Sequence, residues 1–92
     1  MLDKEDYIER VALRLMELDS IIDDLRARAE LARAEEKARY WREVVDLREK
    51  REKGSEVLRD LHEACEDEWG EARRNAENLL SETVSVFRKA AA

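Results

Sequence analysis

The 92-residue sequence contains no proline, two glycines (Gly54 and Gly70), one cysteine and one histidine. Each shortage excludes something. Without proline, and with no glycine before residue 54, nothing in the first half breaks a helix by backbone chemistry alone. A lone Cys65 rules out an intrachain disulfide and fits a reducing, cytoplasmic setting. Aromatic residues make up only 5% of the chain, too few for a thick globular core. No apolar run approaches the ~20 residues of a membrane span, and the acidic start MLDKEDYIER lacks the apolar centre of a signal peptide. There is no Gly-rich phosphate loop and no nucleophile elbow, so the expectation is a protein that is not an enzyme and needs no cofactor.

What the chain does have is charge and periodicity. Charged residues make up 46% of it, and the net charge is −6. Residues 1–25 hold three Lys/Arg against eight Asp/Glu, residues 26–53 ten against seven, and residues 54–92 five against nine. The basic middle suits the acidic flanks better than a nucleic acid, because its own seven carboxylates would oppose phosphates. Nucleic acid is therefore not an expected partner.

Ile8, Val11, Leu15, Leu18, Ile22 and Leu25 are spaced 3, 4, 3, 4, 3, which lines them along one side of a helix as a coiled-coil seam. Ala27, Leu31, Ala34, Ala38, Trp41 and Val45 continue the alternation in a shifted phase. Asp3 is placed to be the N-cap, with Leu2 and Tyr7 at the positions of a hydrophobic staple. The spacing predicts one helix over about 3–52, some 75 Å long at 1.5 Å per residue. After Leu47 come nine residues with nothing apolar, ending in Gly54-Ser55-Glu56. Gly54 can take a left-handed C′ position and Ser55 can cap a following helix, so a turn is predicted at about 53–55. In the second helix, about 56–89, Leu58, Leu61, Cys65, Trp69, Ala72, Ala76, Leu80, Thr83 and Phe87 recur at eleven residues, a nearly straight pattern.

Folding at Gly54 pairs residues whose numbers sum to about 110. That register sets Trp41 against Trp69, Ala38 against Ala72 and Ala34 against Ala76. The expected hairpin core is thus Ala34, Ala38, Trp41, Val45, Leu58, Leu61, Cys65, Trp69, Ala72, Ala76, Leu80 and Phe87. The second arm ends opposite about residue 20, with Ile22 reaching Phe87, so Ile8, Val11, Leu15 and Leu18 have no intrachain partner; these four and Ile22 are the expected oligomer interface for another chain. Charge favours an antiparallel partner, which brings the acidic arm beside a basic 26–53 segment. The expected fold is all-α, a single-domain antiparallel helical hairpin with unequal arms, assembling as an antiparallel dimer or dimer of dimers in a multi-helix bundle.

Two chemical readings compete with this. His62 and Cys65 stand one turn apart and can supply two metal ligands, with Glu66 nearby. No second Cys/His cluster exists to complete a site, and Cys65 belongs to the apolar pattern, so no metal ligands are assigned. The stretch Trp69–Phe87 is amphipathic enough for a membrane surface, but its polar face is mainly acidic and would be repelled by anionic lipid.

The segments Tyr7-Ile8, LDSIIDDLRARAELARAEEKARY and LHEACEDEW, joined by a charged bridge, resemble a group of small, uncharacterised bacterial coiled-coil proteins, some labelled stress-response. The resemblance implies a helical protein of that kind and a link to stress; it supplies no catalytic residues. The tail departs from the group at Ala72 and Ala76, where bulkier residues are usual. The reading is a non-enzymatic structural or interaction protein, self-associating or with an unidentified protein partner. The alternative is a membrane-surface or metal-binding stress protein using the second helix or His62/Cys65.

Overall fold

A computed structural model describes residues 3–91, with side chains described for 3–89. Three helices follow one another: α1 over Lys4–Leu31, α2 over Ala34–Glu63 and α3 over Glu66–Ala91. No strand occurs among the described residues. The helices lie side by side in a body 51 × 21 × 16 Å, much shorter than the expected 75 Å rod.

The start of α1 is as expected. Asp3 caps it, its Oδ1 accepting from the Asp6 N–H at 2.8 Å, with Glu5 and Asp6 in the positive first turn. The staple partner Leu2 lies outside the described residues.

The end of α1 differs. The chain turns at Ala32-Arg33, not at 53–55. Both residues are extended, with φ/ψ of −73/154° and −68/158°. These angles are open to any residue, so the turn needs neither glycine nor proline. No residue in the described chain has a positive φ. The second turn, at Ala64-Cys65, works the same way, with Ala64 at −64/129°. Neither break therefore carries a glycine or proline signal.

Gly54, expected in the turn, lies buried inside α2. Leu15 of α1 packs directly onto it, and a Cβ there would collide with Leu15 Cδ2 and lie 3.3 and 3.4 Å from Cδ1 and Cγ. Close approach, not backbone freedom, is what this glycine supplies. Ser55 likewise caps nothing; its hydroxyl accepts from Arg51 Nη1 at 2.8 Å within the same helix.

Leu15 on Gly54 and Asp19 on Arg51, 2.7 Å apart, fix α1 and α2 as antiparallel, with facing residues summing to about 69. The α2 residues of the seam are Tyr40, Val44, Leu47, Arg51, Gly54, Leu58 and Leu61, an unbroken 4, 3, 4, 3, 4, 3 alternation. It meets the α1 seam layer by layer: Ile8 with Leu61, Val11 with Leu58, Ile22 with Leu47 and Leu25 with Val44. The members of the two buried clusters agree with this register.

The 110-sum register is therefore replaced, and its consequences go with it. Trp41 packs in one cluster with Leu18, Ile22, Val44 and Leu47, while Trp69 packs in the other with Tyr7, Val11 and Leu15. The tryptophans are not in one layer. Of the expected hairpin core, Leu61, Ala72 and Ala76 are buried and Leu58, Trp41, Trp69, Leu80 and Phe87 half-buried. Ala34, Ala38, Val45 and Cys65 are exposed. Val44 and Leu47 are buried in Val45's stead, at 1% and 4% exposure.

The unpaired overhang does not exist either. Val11, Leu15, Leu18 and Ile22 are buried within the single chain, between 1% and 6% exposed, and Ile8 is half-buried. The arms are nearly equal, at 28 and 30 residues, and a third helix of 26 lies against them. Acidic α1 runs antiparallel to the basic part of α2. One ion pair, Arg51 with Asp19 at 2.7 Å, joins the two within the chain.

α3 packs its apolar side inward through Ala72, Ala76, Leu79 and Thr83. The Thr83 hydroxyl is satisfied by donating to the Leu80 carbonyl at 2.9 Å. Tyr7 and Trp69 meet edge to face, with centroids 5.8 Å apart and planes at 78°. The Tyr7 hydroxyl donates to the Arg73 carbonyl at 3.4 Å, and the Arg73 guanidinium lies 5.0 Å from the Tyr7 ring. At the other end of α3, Arg14 stands 5.1 Å over Phe87. Gly70 has nothing within 4 Å, so it is tolerated in the helix and accommodates no neighbour.

Candidate functional site

Three places could hold function, and they differ in what their side chains can do. The first is the α2–α3 turn. His62 and Cys65 are both exposed there. Cys65 Sγ donates to Glu68 Oε1 at 2.9 Å, and the Cys65 backbone N–H approaches the same oxygen at 3.3 Å. Glu68 is the third residue of α3, so this is a helix cap built in reverse, the carboxylate reaching back to the residue before the helix. The thiol, then the backbone N–H, holds the Glu68 carboxyl below its ordinary value, against a small opposing effect of burial. The cysteine is thus engaged in local structure. Among the described residues no three His, Cys, Asp or Glu side chains come together as a metal site would require.

The second place is a groove of about 550 Å³ between the end of α3 and the upper parts of α1 and α2. Ile21, Leu25, Leu47 and Val86 give it apolar walls. Two ion pairs lie on its rim, Arg28 with Asp24 at 3.0 Å and Lys50 with Asp46 at 2.9 Å, beside the charged Glu43 and Lys89. Hydroxyls of Ser20, Tyr40 and Ser85 also line it, with no histidine or cysteine among its lining residues. Among the described residues, no buried side-chain nitrogen or oxygen lacks a hydrogen-bond partner that a ligand would supply.

The third place is on the outside of α2. Because Val44, Leu47, Gly54 and Leu61 face the core, the shifted track Ala34, Ala38, Trp41 and Val45 is turned outward, about a third of the way round the helix. Val45 is 55% exposed, and Trp41 lies half-buried with one side packed on the core cluster. The stripe borders an open depression lined by Ala38, Trp41, Arg42, Val45, Asp46 and Glu49. Glu35 and Arg42, each one residue beyond a stripe position, are both exposed. α3 contacts the other side of α2, through Val57, Leu61 and Ala64, and leaves this face uncovered.

Four of the expected core residues are therefore brought together here, but as surface. The residues of the expected oligomer interface are brought together in the interior. The missed positions Val44 and Leu47 could have been found from the 40–44–47–51–54–58–61 alternation, had Arg51 and Gly54 been read as seam positions. Of the Trp, Leu, Val and Phe residues that the membrane reading turns toward lipid, Trp69, Leu80, Val86 and Phe87 pack against the two core clusters, while Val84 is exposed. No helix among the described residues is long and apolar enough to cross a membrane.

The architecture is an all-α bundle of three helices, with no group of three or more His, Cys, Asp and Glu placed to hold a metal among its described residues. No known family, curated protein or solved structure matches the chain.

Proposed function

We propose that this is a non-enzymatic interaction protein, whose α1–α2 pair is a helical hairpin of coiled-coil type and which works by self-association. One observation carries the reading: once the chain's own core is complete, α2 still presents an apolar stripe of Ala34, Ala38, Trp41 and Val45 to solvent. Single exposed apolar residues are ordinary, whereas four at helical spacing form a continuous face of the kind helices use to associate. A link to stress rests on the resemblance of the sequence alone.

Sedimentation equilibrium from about 1 to 500 µM, the range suited to a small interface, tests the proposal. The expected result is a reversible association that Val45→Asp abolishes while leaving the helical circular-dichroism signal intact. A chain that stays monomeric throughout, or a Val45→Asp variant that associates as well as the original, overturns it.

A further inference from the structure

We infer that the occupant of the α2 stripe is a second copy of the same stripe, laid antiparallel, with Ala38 against the partner's Trp41 and Ala34 against the partner's Val45. This rests on the self-association reading and adds the face, the direction and the register.

The stripe is self-complementary about its midpoint. Its spacing, 4, 3, 4, reads the same from either end, while its sizes run small, small, large, large. A two-fold axis between positions 38 and 41 therefore sets one small and one large side chain in each of four layers, the arrangement that fills space between two helices. A parallel pairing would set Trp41 on the partner's Trp41 and alanine on alanine. That leaves one layer overfilled and others hollow.

Charge selects the same direction. Glu35 follows Ala34 and Arg42 follows Trp41, so both lie on one flank of the stripe, seven residues apart. In the antiparallel register Glu35 comes beside the partner's Arg42, and by symmetry Arg42 comes beside the partner's Glu35. In a parallel pair that flank meets the partner's opposite flank instead, which sets Arg42 toward the partner's Lys37. The other flank of the stripe turns toward α1, and α3 lies across the opposite side of α2, so nothing among the described residues obstructs a second α2 here. Trp41 is well prepared for such a contact, since its inner edge is fixed by the core cluster and only its outer edge remains to be covered.

The test is a charge exchange at two exposed positions, read by sedimentation equilibrium. Glu35→Arg alone sets arginine against the partner's Arg42, and Arg42→Glu alone sets glutamate against the partner's Glu35. Each should weaken the dimer by about tenfold. The double exchange restores opposite charges and should return the affinity to within about threefold of the original. An equimolar mixture of the two single variants should form heterodimers about tenfold tighter than either homodimer. Melting curves at low concentration check that each monomer is unchanged. If the chain dimerises and Val45→Asp prevents it, but the single exchanges have no effect or the double fails to recover, this register is wrong and the self-association reading stands. If no variant or wild-type chain associates at all, both fall.

Discussion

Replacing Gly54 by alanine sets two effects of opposite sign against each other. Alanine in a helix interior is favoured over glycine by about 1 kcal/mol. Against that, the new methyl group enters the space of a buried side chain, Leu15, which is 3% exposed. Leu15 Cδ2 takes the collision, while its Cγ, 3.4 Å from the new Cβ, stands at ordinary contact distance. Leu15 is packed in one cluster with Val11 and Leu61, so turning its methyls off the new Cβ presses them on those neighbours, and overpacking of this kind costs roughly 1–3 kcal/mol. The net expectation is a loss of about 1 kcal/mol, or about 4–8 °C in Tm for a domain of this size. The same change at Gly70, which is exposed with nothing within 4 Å, meets no opposition and should raise Tm by a similar amount. Leu15→Ala should cost about 2–5 kcal/mol by itself, and in that background Gly54→Ala should turn from destabilising to stabilising by up to about 1 kcal/mol. Thermal melts followed by circular dichroism at low micromolar concentration read all four variants. If Gly54→Ala raises the wild-type Tm as Gly70→Ala does, close approach at residue 54 is refuted.

The phase of α2 is tested by adjacent valines: Val44→Ala should destabilise the monomer by about 1–3 kcal/mol, and Val45→Ala by under about 0.5. Burial first, and the carboxylate of Glu77 second, push the Tyr7 hydroxyl above its ordinary value of 10.0, with Arg73 opposing. The fold therefore favours the neutral phenol, so its contribution is complete below about pH 10 and lost as pH rises through the higher folded value; Tyr7→Phe should flatten the dependence of Tm on pH in that range. Glu68 behaves oppositely, its lowered value giving a contribution present above the ordinary carboxylate range and lost as pH falls through the folded value. Cys65→Ser should preserve this cap and Cys65→Ala weaken it, visible as fraying at the start of α3 in amide exchange.

Much of α1 was legible because its seam is made of large aliphatic residues at strict spacing, and its cap is a carboxylate at the right place. α2 was harder for a specific reason. Two tracks run along it one residue apart, and the track through Ala34, Ala38, Trp41 and Val45 has the more apolar appearance. The track that faces α1 includes Arg51 and Gly54, which read as polar and breaking. Arg51 occupies the seam with its stem while its guanidinium reaches Asp19 at the edge. Gly54 occupies it by having no side chain at all. The turns were illegible because extended backbone at Ala32, Arg33 and Ala64 asks nothing of residue type. Once the break near residue 32 is missed, the 110-sum pairing, the overhang and the intermolecular seam follow as one error. The candidate stripe was visible as a pattern throughout; only its direction, outward instead of inward, required the fold.

The two-residue connection at Ala32-Arg33 also has a kinetic meaning. It joins the ends of the two helices that share the most contact, so closing it orders very little intervening chain. The α1–α2 pair can form through neighbours in sequence, and such local topologies fold in microseconds to milliseconds. α3 meets α1 through far fewer residues and docks on a surface that α1 and α2 must first create. Opening should run in the reverse order, so that α3 exchanges its amide protons through detachments that leave α1 and α2 paired and the outer stripe of α2 undisturbed.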